Sequence, residues 1–176
     1  DSGALLEGHF QLASGKHSPI YVEKFRLLER PAQTEALCAM IAAWARDLRP
    51  QVVAGPTTGG IIISYEVARL LSLRGIFAEK VAGQPGRAFE RGFTLMRGER
   101  VLVVDDVLTT GGSVRDVLDA VKRCGAETIG VAVLVDRSAG AIDFGVPLFS
   151  CLALELPTSA PDACPLCERG VQLKIT

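Results

Sequence analysis

Residues 100–115 read RVLVVDDVLTTGGSVR. Val101, Leu102, Val103 and Val104 form an apolar, mostly β-branched run, the mark of a strand covered on both faces. The run ends in two adjacent acids, Asp105 and Asp106, and two carboxylates at the end of a buried strand repel each other and desolvate at a cost. Residues 108–113, Leu108, Thr109, Thr110, Gly111, Gly112 and Ser113, then make a turn into a helix. The glycines let backbone approach a ligand closely, and the first helical N–H groups with the hydroxyls of Thr109, Thr110 and Ser113 make an anion pocket. Acceptors therefore stand beside donors: acids for a sugar diol, a turn for a phosphate. Together they describe a ribose phosphate site at the carboxyl edge of an open α/β sheet. The stretch has no G-x-x-x-x-G-K-[ST] and no G-x-G-x-x-G, which excludes a P-loop and a dinucleotide fingerprint. The plain alternative is a strand, an acidic turn and a capped helix with no ligand.

Outward from this stretch the pattern alternates. Residues 34–48 place Leu37, Met40, Ile41, Trp44 and Leu48 at helical spacing. VVAGP is a short strand ending in a turn, residues 60–73 a helix stopped near Gly75, and IFAEKV a strand. Residues 83–98 are rich in Gly, Pro and charge with few apolar anchors, so they read as a loop or a mobile hairpin. From Ser113 a helix buries Val114, Val117, Leu118 and Val121 and ends at Gly125. IGVAVLVDR is another strand. Continuous apolar strands alternating with helices predict a parallel sheet between helix layers in one domain, residues 1–176, with irregular peripheral additions at 1–30 and about 150–176.

The chain has 176 residues, 48% hydrophobic and 22% charged, with a formal net charge of −1. Bulk charge gives no nucleic-acid or membrane signal, so any attraction for an anion is local. No apolar run approaches the length of a membrane span, and no secretory leader opens the chain. The first residue is Asp1 rather than Met, which leaves room for a short preceding segment. The cysteines are Cys38, Cys124, Cys151, Cys164 and Cys167. An odd count, partly within apolar segments, implies a reducing, cytoplasmic setting and free thiols. Cys164 and Cys167 form a C-x-x-C that could ligate zinc or act in redox chemistry. A tetrahedral zinc site needs four ligands, and no second pair or H-x-x-x-H accompanies it; Cys151 and the two histidines are too few obvious partners. A plain turn around Pro165 is the other reading.

VLVVDDVLTTGGS resembles the phosphoribosyl pyrophosphate (PRPP) signature of the type I phosphoribosyltransferases. The resemblance implies a central parallel sheet flanked by helices, with a small hood built from the chain termini. It implies that Asp105 and Asp106 bind the ribose hydroxyls, that Leu108, Thr109, Thr110, Gly111, Gly112 and Ser113 hold the 5′-phosphate, and that Val107 is among the PRPP-binding residues. Three further segments are similar to the orotate phosphoribosyltransferases, in the shorter bacterial form found in Thermus. GHFQLASGKHSPIYVEK carries the hood pattern at Phe10, Leu12, Ser14, Gly15, Ser18 and Tyr21. VVAGPTTGGI resembles the pyrophosphate loop, and VLVDR the strand whose last arginine, here Arg137, meets orotate. The implied activity is that of a pentosyltransferase in de novo pyrimidine (UMP) synthesis. PRPP and orotate give orotidine 5′-monophosphate and pyrophosphate, with Mg²⁺ held mainly by PRPP and water.

The resemblance further implies a homodimer with no nucleic-acid partner. It makes Lys80 a catalytic cation, Arg87 and Arg91 members of a flap over the leaving pyrophosphate, and Thr58 and Gly59 its loop. Thr109 and Tyr21 join Arg137 around the base. Orotate carries a carboxylate, so its pocket calls for a fixed planar cation, which Arg137 supplies. A surface Arg137 pairing Asp136 or a nearby acid, Tyr21 packing within the hood, and a merely solvated loop at 79–91 are the bland alternatives. The chain departs from the better-known orotate enzymes at three places. Their hood lysine is Ala13 here, with Lys16 and Lys24 nearby. Their aromatic-lysine pair is Thr58-Gly59, in a loop where the family often has a cis peptide. Their flap has more lysines and a histidine, absent between 80 and 98. A purine or uracil phosphoribosyltransferase, or a PRPP-sensing regulator on the same fold, are the competing readings.

Overall fold

The computed structural model describes residues 3–12 and 14–176; Ala13, the position of the missing hood lysine, lies outside the described residues, as does Asp1. In chain order the elements are β1 (Leu5–Gln11), β2 (His17–Val22), α1 (Phe25–Leu28), α2 (Pro31–Ala45), β3 (Val52–Pro56), α3 (Gly59–Leu71), β4 (Arg74–Lys80), β5 (Arg87–Ala88), β6 (Arg100–Leu108), α4 (Gly112–Arg123), β7 (Glu127–Asp136), β8 (Leu148–Ala153), α5 (Pro165–Glu168) and β9 (Lys174–Ile175). They fall into two compact units, residues 31–154 and residues 1–30 with 155–176.

The larger unit is a six-stranded sheet in the order β5-β4-β3-β6-β7-β8. All neighbours are parallel except the short edge strand β5, which runs antiparallel to β4. Every residue of β3 is buried, and so are the apolar residues of β6 at 101–104 and the run from Ile129 onward in β7. This is the signature of parallel strands buried on both faces. One core cluster joins Val52, Ala54, Val101, Val103, Val131 and Val133 to Val114, Val117 and Val121 of α4, with Leu118 packed against it part-buried. The parallel arrangement sends β3, β4, β6 and β7 out at the same edge, which is where the loops gather.

Three local expectations change. In α2 the buried face is Thr34, Cys38, Ile41, Ala42 and Ala45, while Met40 is 45% exposed. Apart from Ile41, the inward side chains are small, and α2 packs against α3. Trp44 instead stacks on Phe149 at 5.3 Å between centroids. A Cβ on Gly130 of β7 would stand 3.1 Å from the Trp44 ring and 2.8 Å from Leu48 Cδ1, so the glycine makes room for both. The helix α3 ends at Ser72 in the left-handed region (φ 57°), and Gly75 belongs to β4, where Ser64 O and the Ala68 Cβ leave 3.0–3.1 Å for any Cβ. Finally, the C-terminal periphery begins later than expected, since Leu148–Ala153 is β8 of the main sheet.

The smaller unit is ordered strand pairing rather than irregular chain. β1 and β2 form an antiparallel hairpin and β9 adds to β1 in parallel, giving the order β2-β1-β9. No helix among the described residues is long and apolar enough to cross a membrane.

Cys38 is fully buried, and burial, followed by the Glu66 charge, pushes its thiol from 9.0 up to about 12. Between pH 9 and 12 the unfolded chain ionises at this position and the folded chain does not. Folding stability contributed by this group is therefore full below pH 9 and is lost as pH rises through that window. Urea unfolding across pH 9–12 is expected to lose stability more steeply in the native sequence than in Cys38→Ala; parallel curves would refute the assignment.

Candidate active site

The sheet edge is built by four strand ends. β6 delivers Asp105 and Asp106, buried at 6% and 4% exposure. Each is locked by the backbone that follows it: Asp106 N–H donates to Asp105 Oδ1 at 2.8 Å, and Val107 N–H donates to Asp106 Oδ1 at 2.6 Å. Charge-assisted bonds of this kind hold adjacent like charges in place.

The turn that follows enters α4 through Gly111, which is left-handed (φ 77°) and is its N-cap. No side chain caps this helix and no acid occupies its first turn, so its first N–H groups face the concavity lined by Asp105 and residues 107–114. Basic Lys122 and Arg123 sit at the far end, in favourable alignment with the helix dipole. Thr109, Thr110, Gly112 and Ser113 are exposed, as a ligand-facing turn requires. Phe144 and Ile142, from the loop before β8, pack within 3.3 Å of where a Gly111 Cβ would lie. Arg115 stands 5.2 Å over the Phe144 ring. These supports were not readable from the sequence.

Beside it, β3 runs through Thr57 and Thr58 into α3, whose buried first residues are Gly59 and Gly60. The Thr57–Thr58 peptide is cis. Strand and helix approach so closely here that a Cβ on Gly55 would meet Gly60 O at 2.4 Å and Val104 O at 3.0 Å. Both neighbours are backbone and cannot swing away. Gly55→Ala is expected to destabilise the fold by about 3 kcal/mol through overpacking, read as a lowered thermal midpoint. An unchanged midpoint would show that the loop is looser than this geometry.

Lys80 is the exposed last residue of β4, two positions beyond Ala78, which pairs with Pro56 of β3. That register places it level with the Thr58 loop. Arg87 is not a loop cation. It lies in β5 opposite Lys80, 7% exposed, and donates to Thr57 Oγ1 at 2.7 Å and Ala78 O at 3.3 Å. Asp116 lies 3.9 Å from it, and Arg123 donates to its carbonyl oxygen. Arg87 thus braces the β3 loop from behind. Arg91, in the left-handed region at φ 58°, pairs with Glu79 at 3.0 Å. The segment expected to be a loop or a mobile hairpin starts as a short hairpin, because β4 continues far enough to pair with 87–88.

Arg137 follows β7 directly. Its backbone N–H donates to Leu108 O at 2.8 Å, which ties it to the residue before Thr109. Asp136 Oδ1 accepts the Ser138 N–H at 2.7 Å. Tyr21 belongs to the smaller unit, where its ring lies 5.5 Å from that of Phe10.

A family described as a phosphoribosyl transferase domain matches residues 28–152, the span that holds this sheet edge. An orotate phosphoribosyltransferase of Pelotomaculum thermopropionicum is 49% identical over 170 residues, covering 97% of this chain and 88% of the relative. One of Thermotoga maritima is 46% identical, over 97% of this chain and 90% of the relative. Among solved structures, orotate phosphoribosyltransferase of Aeropyrum pernix superposes with a TM-score of 0.76 at 30% identity, over 87% of this chain and 89% of that one. An adenine phosphoribosyltransferase of Thermoanaerobacter pseudethanolicus, at 17% identity and TM-score 0.66, shares the fold.

Proposed function

This chain belongs to the phosphoribosyltransferase family, and we propose that it is an orotate phosphoribosyltransferase, joining PRPP to N1 of orotate to give orotidine 5′-monophosphate and pyrophosphate. The observation that carries the reading is the tie between Arg137 N–H and Leu108 O. It brings the Arg137 backbone beside the turn proposed for the sugar phosphate, which supports Arg137 as the carboxylate receptor.

The C1′–oxygen bond of PRPP breaks with oxocarbenium character on the sugar, and orotate arrives as an anionic nucleophile, so positioning and charge carry most of the work. Asp105 and Asp106 accept hydrogen bonds from the ribose hydroxyls. The N–H groups at the start of α4, with the hydroxyls of Thr109, Thr110 and Ser113, hold the 5′-phosphate. Thr58 and Gly59 receive the pyrophosphate through backbone, and Lys80 at the neighbouring strand end adds positive charge. Arg137 takes the orotate carboxylate, with Thr109 beside it on the ring. Arg87 acts by bracing Thr57, and Arg91 completes the basic flap. The role of Tyr21 follows from the family resemblance alone.

The acids of this edge are hard oxygen donors, the type that suits Mg²⁺, and Asp105 and Asp106 are the carboxylates that would share it with PRPP oxygens and water. Bound there, Mg²⁺ supplies charge neutralisation for the departing pyrophosphate. A homodimer and a cytoplasmic setting belong to the same reading.

The test is a panel of bases. The protein with PRPP and Mg²⁺ is offered orotate, uracil, adenine and xanthine, and pyrophosphate release is followed. Release with orotate is expected. Release with another base but not orotate would overturn the reading.

A further inference from the structure

The smaller unit, residues 1–30 and 155–176, has little apolar interior. Its described buried side chains are Phe10, Leu28 and Cys164 beside the polar His9, His17 and Ser18. A unit of this size rarely holds together on burial alone and is commonly stapled by a disulfide or a metal. Its cysteines are free thiols. What they meet is the pair of histidines.

His9 and His17 lie on β1 and β2. His9 lies where the β1–β2 register shifts between Glu7 and Phe10, and its Nε2 there reaches His17 Nδ1. The C-P-L-C turn comes from the other end of the chain, with Pro165 opening α5. One ligand atom from each of His9, His17, Cys164 and Cys167 falls within 4.8 Å of all the others. His9 Nε2 stands 3.0 Å from His17 Nδ1, 3.5 Å from Cys164 Sγ and 3.7 Å from Cys167 Sγ. Cys167 Sγ is 3.3 Å from His17 Nδ1. The edges of a tetrahedron around zinc, from bond lengths of about 2.0 Å to nitrogen and 2.3 Å to sulfur, are about 3.3–3.8 Å. These four spacings sit close to that range, and all the ligand atoms lie within 4.8 Å of one another.

The surroundings suit a metal as well. His9 Nδ1 donates to Val171 O at 2.8 Å, which fixes the proton on Nδ1 and leaves the Nε2 lone pair facing the cluster. The backbone N–H groups of Cys167 and Leu166 hydrogen-bond Cys164 Sγ. His17 is held by a reciprocal backbone pair with Ser159, both bonds at 2.9 Å.

We propose that His9, His17, Cys164 and Cys167 form a structural zinc site that fastens the N-terminal hairpin to the C-terminal tail. Four protein ligands close the coordination shell, which marks a structural centre rather than a catalytic one with an open position. Two soft sulfurs with two imidazoles select zinc over the oxygen-loving Mg²⁺. On binding, the two thiols release their protons to solvent as two Zn–S bonds form, with no change in oxidation state.

The full chain, purified without chelator, is expected to carry one zinc per chain by plasma mass spectrometry. Exchange with Co²⁺ is expected to give the visible bands of tetrahedral cobalt together with near-ultraviolet thiolate-to-cobalt charge transfer. Cys167→Ser removes an exposed ligand with little loss of packing and should lower zinc occupancy by about tenfold or more at micromolar protein. The cobalt spectrum needs no variant, so a variant that fails to fold leaves the proposal testable. Negligible zinc with reduced thiols and no tetrahedral cobalt spectrum would overturn it, leaving a hydrogen-bonded cluster. So would a Cys164–Cys167 disulfide found in the unreduced protein, or equal zinc in Cys167→Ser. All readouts are independent of catalysis.

Discussion

Replacing both acids of the β6 edge, Asp105→Asn with Asp106→Asn, is expected to weaken PRPP binding by about 10²–10⁴-fold in calorimetry. The range follows from losing two charged acceptors, each worth about 1.5–3 kcal/mol. The substitution is local. Each Oδ1 that accepts a backbone N–H, from Asp106 or Val107, has an amide oxygen to replace it. The fold should therefore survive, and the apo protein should gain stability, because two adjacent buried negative charges are removed. A raised thermal midpoint with lost PRPP affinity would show that the acids are kept for the ligand at a cost to the fold. Unchanged affinity would remove the acids from the sugar site.

Arg137→Ala is expected to strike the base rather than the sugar. Truncating one partner of a desolvated guanidinium–carboxylate pair costs about 2–5 kcal/mol, so kcat/KM for orotate should fall by about 30- to several thousand-fold. Affinity for PRPP should change little, because the backbone N–H that ties residue 137 to Leu108 O remains. Arg137→Lys should recover only part of the loss, since a point charge cannot replace the planar fork. Equal damage to PRPP and orotate would sink the role of carboxylate receptor.

The acids and the turn proposed for the sugar phosphate were legible because one contiguous stretch, 100–115, carries both. The strand, the edge and the helix start are set by local chemistry, so no distant residue had to be known. The orotate half came from family resemblance at 8–24, 52–61 and 133–137, and the structure added the backbone tie that joins Arg137 to the turn. Arg87 was misplaced for an instructive reason. Its composition is that of a flap, but β4 runs on to pair with it, and burial against Thr57 and Asp116 makes it a brace. The inward face of α2 was likewise hidden, because with apolar residues on all sides the helix is oriented by close packing rather than by its own pattern.

By itself the sequence determined the parallel α/β core and the acid–turn–helix order at its edge, since alternation, β-branched runs and that order are all local signals. Only the tertiary structure decided what depends on chain segments far apart. The hairpin, with its register shift between Glu7 and Phe10, put His9 against His17, and strand pairing of both termini brought Cys164 and Cys167 against them. Ligand spacing along a chain reveals a metal centre only when its ligands are near in sequence. Here the ligands are separated by more than 140 residues, and folding alone makes them neighbours.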